Sequence, residues 1–140
     1  MLEDRKVNVK AKLALLWVAL MFLYIYNDLF SLWQPGHIAE LVEGHLEGVQ
    51  FTQPMLFGAA VLMAFPSFMV LMSISLKAKW NRIVNIVVGI LHIFVLAGTQ
   101  FVGDGETWFY WRFYELLELL FLALIIWTAW KWPTAETQTQ

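Results

Sequence analysis

The apolar run LALLWVALMFLYIYNDLFSLW occupies residues 13–33 and is long enough to cross a lipid bilayer as a single helix. Such a span needs about 20 mostly apolar residues to cover roughly 30 Å of hydrocarbon. Three further runs of this kind follow, at residues 54–76, 83–103 and 108–131. Because the four runs use most of the 140 residues, the sequence predicts a single four-span membrane domain over residues 1–140.

The composition agrees with a lipid bilayer as the main partner of this chain. Hydrophobic residues make up 60% of it and charged residues 14%, whereas a soluble domain is about half apolar and a quarter charged. The net charge is −2 and there is no basic stripe, so no nucleic-acid partner is expected. There is no cysteine, which excludes thiol catalysis, iron–sulfur ligation by cysteine and disulfides. A signal peptide fits the first run poorly, because the run is too long and no small-residue cleavage site follows it.

Charged residues between the runs predict an orientation. Basic residues lie before the first run, between the second and third, and at the end of the fourth: Arg5, Lys6, Lys10, Lys12, Lys77, Lys79, Arg82 and Lys131. The two remaining connections carry acids: Glu40, Glu43, Glu47, Asp104 and Glu106. Because basic residues favour the cytoplasmic side, both termini are expected in the cytoplasm, as in a bacterial cytoplasmic (inner) membrane protein.

The connections predict an architecture. The links around residues 77–82 and 104–107 are short, which makes neighbouring helices antiparallel. We therefore expect an all-α, integral membrane up-down four-helix bundle. Residues 34–53 are longer than a turn needs, and wound as a helix from His37 they separate into two sides. The apolar side is Ile38, Leu41, Val42, Leu46 and Val49, and the polar side is His37, Glu40, Glu43 and Glu47. This predicts a short amphipathic helix on the outer membrane surface or over the bundle.

Two ionisable residues fall near the middle of the membrane. His92 lies midway along the third run and Glu118 midway along the fourth, both roughly 15 Å from the outer surface at about 1.5 Å per residue. A charge at this depth costs about 3 kcal/mol or more, so each needs a reason. One interpretation is a contact that holds or exchanges a proton on Glu118. The alternative is an interhelical hydrogen bond that sets helix register. The stripe of Asn85, Gly89, His92, Leu96, Thr99 and Gly103 is small and polar, so we expect His92 to face the bundle interior.

A second polar group is predicted nearer the outer face. Asp28 and Arg112 both fall roughly 6–8 Å below the outer interface, with opposite charges, which predicts an ion pair. Glu115 is three residues from both Arg112 and Glu118 and shares their helix stripe. Asn27, Gln100 and Tyr24 are close in depth, so an outward-facing polar pocket is one interpretation. In the other, Arg112 extends to the surface with Glu115 beside it.

Several chemistries lack their residues. No lysine lies inside a run for a retinal-type Schiff base, and one intramembrane histidine is too few for a two-histidine haem site. His37 with Glu40 supplies only half of a metal site. No G-x-S-x-G, P-loop or H-E-x-x-H motif occurs. We therefore predict no catalytic residue, no metal and no cofactor.

Several short motifs resemble a family of uncharacterised bacterial four-helix membrane proteins, classed as a domain of unknown function. These are FLYIY at 22–26 followed by Asp28, Pro35-Gly36, AFP at 64–66 leading to Met69, NRIVNI at 81–86, Phe113-Tyr114 with Glu118, and WTAWKWP at 127–133. The family pattern is similar at Asp28, Asn85 and Glu118. It does not call for Arg112 or Glu115, and an aromatic residue is expected where Thr128 stands. The resemblance implies the four-span topology and supplies no activity.

Three functional hypotheses remain open at this point. The leading one is a small, oligomeric membrane protein that binds a hydrophobic or cationic small molecule in a polar-lined pocket and moves it against protons through Glu118. Four spans make a narrow bundle, so a transport path would need two protomers. The alternative is a non-catalytic accessory or assembly subunit of a larger membrane complex. The third is a quinone- or lipid-handling enzyme subunit.

Overall fold

The four apolar runs form four long helices in the computed structural model, which describes residues 6–103 and 106–133. These helices are α1 (Val9–Ser31), α3 (Gln53–Ser75), α4 (Ala78–Thr99) and α5 (Phe109–Trp130). Between α1 and α3 lie α2 (His37–Val42) and the two-residue strands β1 (His45–Leu46) and β2 (Val49–Gln50). By length and composition, each of the four long helices can cross a membrane. The all-α prediction is confirmed.

Helix ends follow local capping rules. The Asn8 side chain accepts a hydrogen bond from the Lys10 amide (2.9 Å) at the start of α1. Thr52 caps α3 in the same way, with Pro54 in the first turn. Leu76 and Lys77 are extended, which stops α3 and lets α4 start at Ala78. Thus α4 begins and ends earlier than the predicted run at 83–103. After Thr99 the chain turns, with Gly103 at a φ of 83°.

The long helices pack as an up-down bundle in the cyclic order α1, α3, α4, α5. α1 packs along both α3 and α5, α4 packs along α5, and the α3–α4 contact is the smallest. We call the end that carries residues 34–52 and the α4–α5 connection the hairpin end. The opposite end, where α1 begins and α5 ends, is the terminal end.

The hydrophobic core fills the half of the bundle nearer the terminal end. Its fully buried members are Leu13, Trp17, Leu20, Met69, Leu122, Ile125 and Ala129. α4 approaches α5 closely at Gly89, where an added Cβ would lie 2.8 Å from Cγ1 of Ile126. Asn85, Gly89 and His92 are all buried, so the predicted inward face of this helix is confirmed over these positions.

A buried polar network ties three helices together in the same half. The Trp17 indole N–H donates to Oδ1 of Asn85 (2.7 Å), which also accepts from the Ser73 hydroxyl (3.3 Å). Asn85 Nδ2 donates to Oδ1 of Asn81 (2.7 Å), and Asn81 Nδ2 donates to the Ser73 carbonyl (2.6 Å). All four side chains are fully buried. These matched donors and acceptors join α1, α3 and α4.

The segment between α1 and α3 corrects the amphipathic-helix prediction. α2 begins at His37 as expected but ends at Val42, and Leu46 pairs with Val49 in an antiparallel hairpin. The reason is local, because Gly44 takes a φ of 84°, a left-handed conformation that terminates helices. The hairpin loop Glu47-Gly48 has positive φ at both residues (48° and 78°), as in type I′ turns. A single helix through Val49 is therefore wrong.

We call residues 34–52 the hairpin cap. Gln34 is buried and its side-chain amide donates to the Tyr110 hydroxyl of α5. Within the cap, His37 Nε2 lies 3.4 Å from Oε1 of Glu47, and the Glu47 amide donates to Oε2 of Glu40 (2.8 Å). The hairpin is thus held to α2, and Gln34 bonds the start of the cap to α5.

Candidate functional site

A cavity of about 140 Å³ lies in the half of the bundle nearer the hairpin end. We call it the inner cavity. All four long helices contribute to its wall. Six of the eight predicted site residues line it: Tyr24, Asn27, Asp28, His92, Glu115 and Glu118. Its other lining residues, absent from the predicted set, are Met63, Val95, Leu96, Thr99 and Trp111. The remaining predicted residues, Gln100 and Arg112, lie just outside it.

Three buried polar atoms in this wall have no hydrogen-bond partner among the described residues. They are Oδ1 of Asn27, Nε2 of His92 and Oε1 of Glu118. His92 is 1% exposed and Glu118 3% exposed, so water at the protein surface does not satisfy them. Buried polar groups in folded proteins are almost always hydrogen-bonded. All three residues line the inner cavity, so a molecule or ordered water bound there is the candidate partner for these atoms.

His92 is held from the α1 side. Its Nδ1 lies 3.2 Å from the Tyr24 hydroxyl, and the two rings lie 6.0 Å apart with 23° between their planes. The Trp17 ring meets His92 edge-on, also at 6.0 Å. The observed hydrogen-bond partner of His92 is thus Tyr24. His92 and Glu118 both line the inner cavity, but no hydrogen bond joins them in the described chain.

Glu115 organises the mouth of the inner cavity. Its carboxylate accepts hydrogen bonds from the Trp111 indole (3.0 Å), the Arg112 guanidinium (2.8 Å) and the Gln100 side-chain amide. Arg112 also donates to the Gln100 side-chain carbonyl. The carboxylate is largely buried while Arg112 remains half exposed. These four side chains form what we call the Glu115 cluster.

The predicted Asp28–Arg112 ion pair is wrong. Within the described residues, the acidic partner of Arg112 is Glu115, one helical turn further along α5. The physical reason is proximity on one helix, because an i, i+3 partner is in reach whatever the neighbouring helix does. Asp28 is instead exposed and lines the inner cavity.

A double-mutant cycle on unfolding free energy should separate these two pairings. Arg112→Gln and Glu115→Gln should be coupled by about 0.2–1 kcal/mol, the range of partly exposed ion pairs. Arg112→Gln and Asp28→Asn should be additive within about 0.3–0.5 kcal/mol, because the two side chains share no bond. Coupling of the second pair that exceeds the first would restore the interhelical ion pair.

A second cavity of about 90 Å³ lies beside the mouth, toward the hairpin end, and we call it the outer cavity. It shares Thr99, Trp111 and Glu115 with the inner cavity, so these side chains lie between the two spaces. Its charged residues are Glu47, Glu106, Glu115 and Arg112. With one cation against three acids, the approach to the inner cavity carries negative charge, which concentrates cations.

Sequence reasoning missed two residues at this mouth. Trp111 was not among the predicted site residues, although its spacing of four residues from Glu115 indicates a shared helix face. Glu47 reaches the outer cavity only because the hairpin folds back, and no periodic pattern reports that. As for metals, no group of three or more His, Asp or Glu side chains within residues 6–103 and 106–133 is arranged to hold an ion.

The chain belongs to a family of unknown function (DUF6326), whose model matches residues 2–139. The match covers all four spans and the hairpin cap. Neither the curated proteins nor the solved structures contain a match. Membership of this family agrees with the resemblance found in the sequence motifs and brings no activity with it.

Proposed function

We propose that this protein binds a small organic cation in the inner cavity and exchanges it for a proton on Glu118. The observation that carries the proposal is that Asn27, His92 and Glu118, each with an unpartnered polar atom, line one cavity. An ammonium group carries several N–H donors and can satisfy the oxygens of Asn27 and Glu118 together.

The charge balance of the wall supports a cation. Arg112 is already paired with Glu115, which leaves Asp28 and Glu118 without a basic partner in the described chain. Tyr24 and Trp111 add aromatic side chains to the lining, and aromatic rings attract cations. A cavity of about 140 Å³ is close in size to one that accepts benzene, so the bound group has only a few non-hydrogen atoms.

Burial of Glu118 supports the proton step. A carboxylate inside a membrane without a cationic partner is costly, so Glu118 is best kept neutral by a proton. When an alkylammonium enters, its positive charge replaces that proton and the carboxylate forms an ion pair. One cation is bound and one proton is released, so the net charge of the site is unchanged.

We further propose that the protein works as a homo-oligomer or within a larger membrane complex. The terminal half of one bundle is filled by its core, so a path across the membrane would run between protomers. The alternative function, a non-catalytic accessory or assembly subunit, rests on α3. Only 11% of its most apolar stretch is buried, and Phe57, Phe65, Phe68 and Leu71 leave a wide face for a partner helix.

The proposed location is the bacterial cytoplasmic membrane, with the terminal end inside. Lys10, Lys12, Lys77, Lys79, Arg82 and Lys131 lie toward that end, and Glu40, Glu43, Glu47 and Glu106 lie toward the hairpin end. Arg5 and Asp104, which also entered the sequence prediction, are outside the described residues. The distribution follows the preference of basic residues for the cytoplasmic side.

Single-cysteine labelling tests this orientation, and the cysteine-free chain makes it clean. Thr107→Cys, in the α4–α5 connection, should react with a membrane-impermeant maleimide on intact cells. Lys79→Cys, near the start of α4, should react only after the cells are permeabilised. Labelling of Lys79→Cys from outside intact cells would reverse the topology.

Calorimetry of ethylammonium binding tests the function. The protein in phosphatidylcholine nanodiscs is titrated between about pH 5 and 8, a range in which an alkylammonium stays charged as lysine does. Titrations in buffers of different ionisation enthalpy count the protons released. We expect one proton per bound cation, and an affinity that rises about tenfold per pH unit while Glu118 is protonated in the free protein. Binding without proton release, or no binding at all, would contradict the exchange.

A further inference from the structure

The inner cavity borders on a partly open apolar space beneath the hairpin cap. This space, the hairpin chamber, has a volume of about 230 Å³ and shares Thr99 and Trp111 with the inner cavity. Leu46, Val49, Phe51 and Met55 contribute most of its remaining apolar wall. Building on the proposed function, we infer that the hairpin chamber holds an alkyl tail, so that the ligand is a straight-chain alkylammonium amphiphile rather than a compact polar cation.

The wall of the chamber is built from residues that the sequence pattern assigned to the membrane surface. In a continuous amphipathic helix, Leu46 and Val49 would face lipid. In the hairpin they pair with each other in register and line the chamber instead. The first turn of α3 supplies Met55, a flexible side chain that adapts to apolar groups of varied shape.

The arrangement of polar and apolar walls orients the ligand. Asn27, His92 and Glu118, the residues that carry unpartnered polar atoms, line the inner cavity. The ammonium head therefore belongs at the deep end, and the tail passes Thr99 and Trp111 toward the hairpin. A tail pointing the other way would meet the filled core around Trp17 and Leu122.

The length of the helix between the two spaces limits the tail. Glu118 and Trp111 are seven residues apart on α5, which is about 10 Å along the axis at 1.5 Å per residue. An extended chain of roughly eight carbons covers this distance. Octylammonium should therefore reach the chamber while ethylammonium remains in the inner cavity. Each methylene that enters is worth about a fourfold gain in affinity.

A chain-length series read against a filled chamber tests this inference. Ethyl-, butyl-, hexyl- and octylammonium are titrated into nanodiscs that carry the wild type or Met55→Trp, with protein-free nanodiscs subtracted for partitioning. Met55 lines the chamber but neither the inner nor the outer cavity. We expect Met55→Trp to weaken octylammonium by at least tenfold and to leave ethylammonium unchanged. Leu56→Trp is the matched control, because Leu56 is next to Met55 but is exposed and lies outside the chamber wall. This variant should leave the affinity for both ligands unchanged.

Val49→Trp is a second variant that places an indole at the chamber wall, this time from the hairpin. It keeps the test valid if the indole of Met55→Trp turns away from the chamber. If octylammonium binds no tighter than ethylammonium, or if both filling variants leave octylammonium unaffected, the inference is overturned. Ethylammonium binding with proton release would in that case leave the proposed function intact. If no alkylammonium binds, the proposed function and the inference fall together.

Discussion

Glu118→Gln is expected to abolish the proton release that accompanies cation binding and to remove the pH dependence of the affinity. Glutamine has nearly the size of glutamate and keeps a hydrogen-bonding oxygen, so it preserves packing in this almost fully buried position. It cannot form an ion pair. Loss of one partner of a desolvated charge pair costs about 2–5 kcal/mol, so ethylammonium should bind at least about 30-fold more weakly. Calorimetry in nanodiscs at two pH values measures both effects.

Two further variants separate a ligand role of Glu118 from a structural one. Glu118→Ala removes the carboxyl and enlarges the cavity, so it should lower thermal stability as well as binding. Glu43→Gln changes an exposed acid of the hairpin cap, away from the inner cavity, and should leave both unchanged. If Glu118→Gln binds like the wild type and only Glu118→Ala fails, the proton exchange is rejected and the accessory-subunit function is favoured.

Trp17→Ala should have the largest effect on stability. The side chain is fully buried, lies in the core and donates to Oδ1 of Asn85. Truncation leaves a large cavity between α1 and α4, and we expect the free energy of unfolding to fall by about 3–5 kcal/mol. Trp17→Phe keeps one aromatic ring but loses the N–H donor and part of the packing, so it should cost less than Trp17→Ala, with about 0.6–1.7 kcal/mol of the loss due to the hydrogen bond.

Unfolding of these variants can be followed by circular dichroism in mixed micelles with a rising fraction of denaturing detergent. Trp80→Ala is the control, because Trp80 is near the same end of the bundle but 60% exposed. It should shift the transition little. If Trp17→Ala and Trp80→Ala lower the free energy of unfolding equally, the buried position of Trp17 does not make a special contribution to stability.

The sequence predicted two polar groups at different depths, whereas the structure places residues of both groups around one cavity. Depth along a helix follows from counting residues, so His92 and Glu118 were placed near mid-membrane and Asn27 and Tyr24 nearer the outer face. Hydrogen-bond partners depend on side-chain positions to within a few tenths of an ångström. For that reason Arg112 was paired with Asp28 in prediction and pairs with Glu115 in the structure.

The hairpin cap shows a second kind of limit. Residues 37–49 have helical spacing of apolar positions, which favoured one helix. Positive φ at Gly44, Glu47 and Gly48 outweighed this spacing and produced a turn and a hairpin. Glycines in a helical pattern were the available signal, because glycine adopts left-handed conformations at little cost and weakens helices.

The amino-acid sequence by itself determined the four long helices, their up-down order and the inward face of α4. It could do so because apolar length and short connections act locally, and because lipid requires every backbone group to be bonded within its own helix. Only the tertiary structure decided that Asn27, His92 and Glu118, which keep unpartnered polar atoms, line one cavity, and that Leu46 and Val49 line the apolar hairpin chamber beside it. Cavities and unpaired atoms are what remains after all helices have packed together, so no single stretch of the chain encodes them.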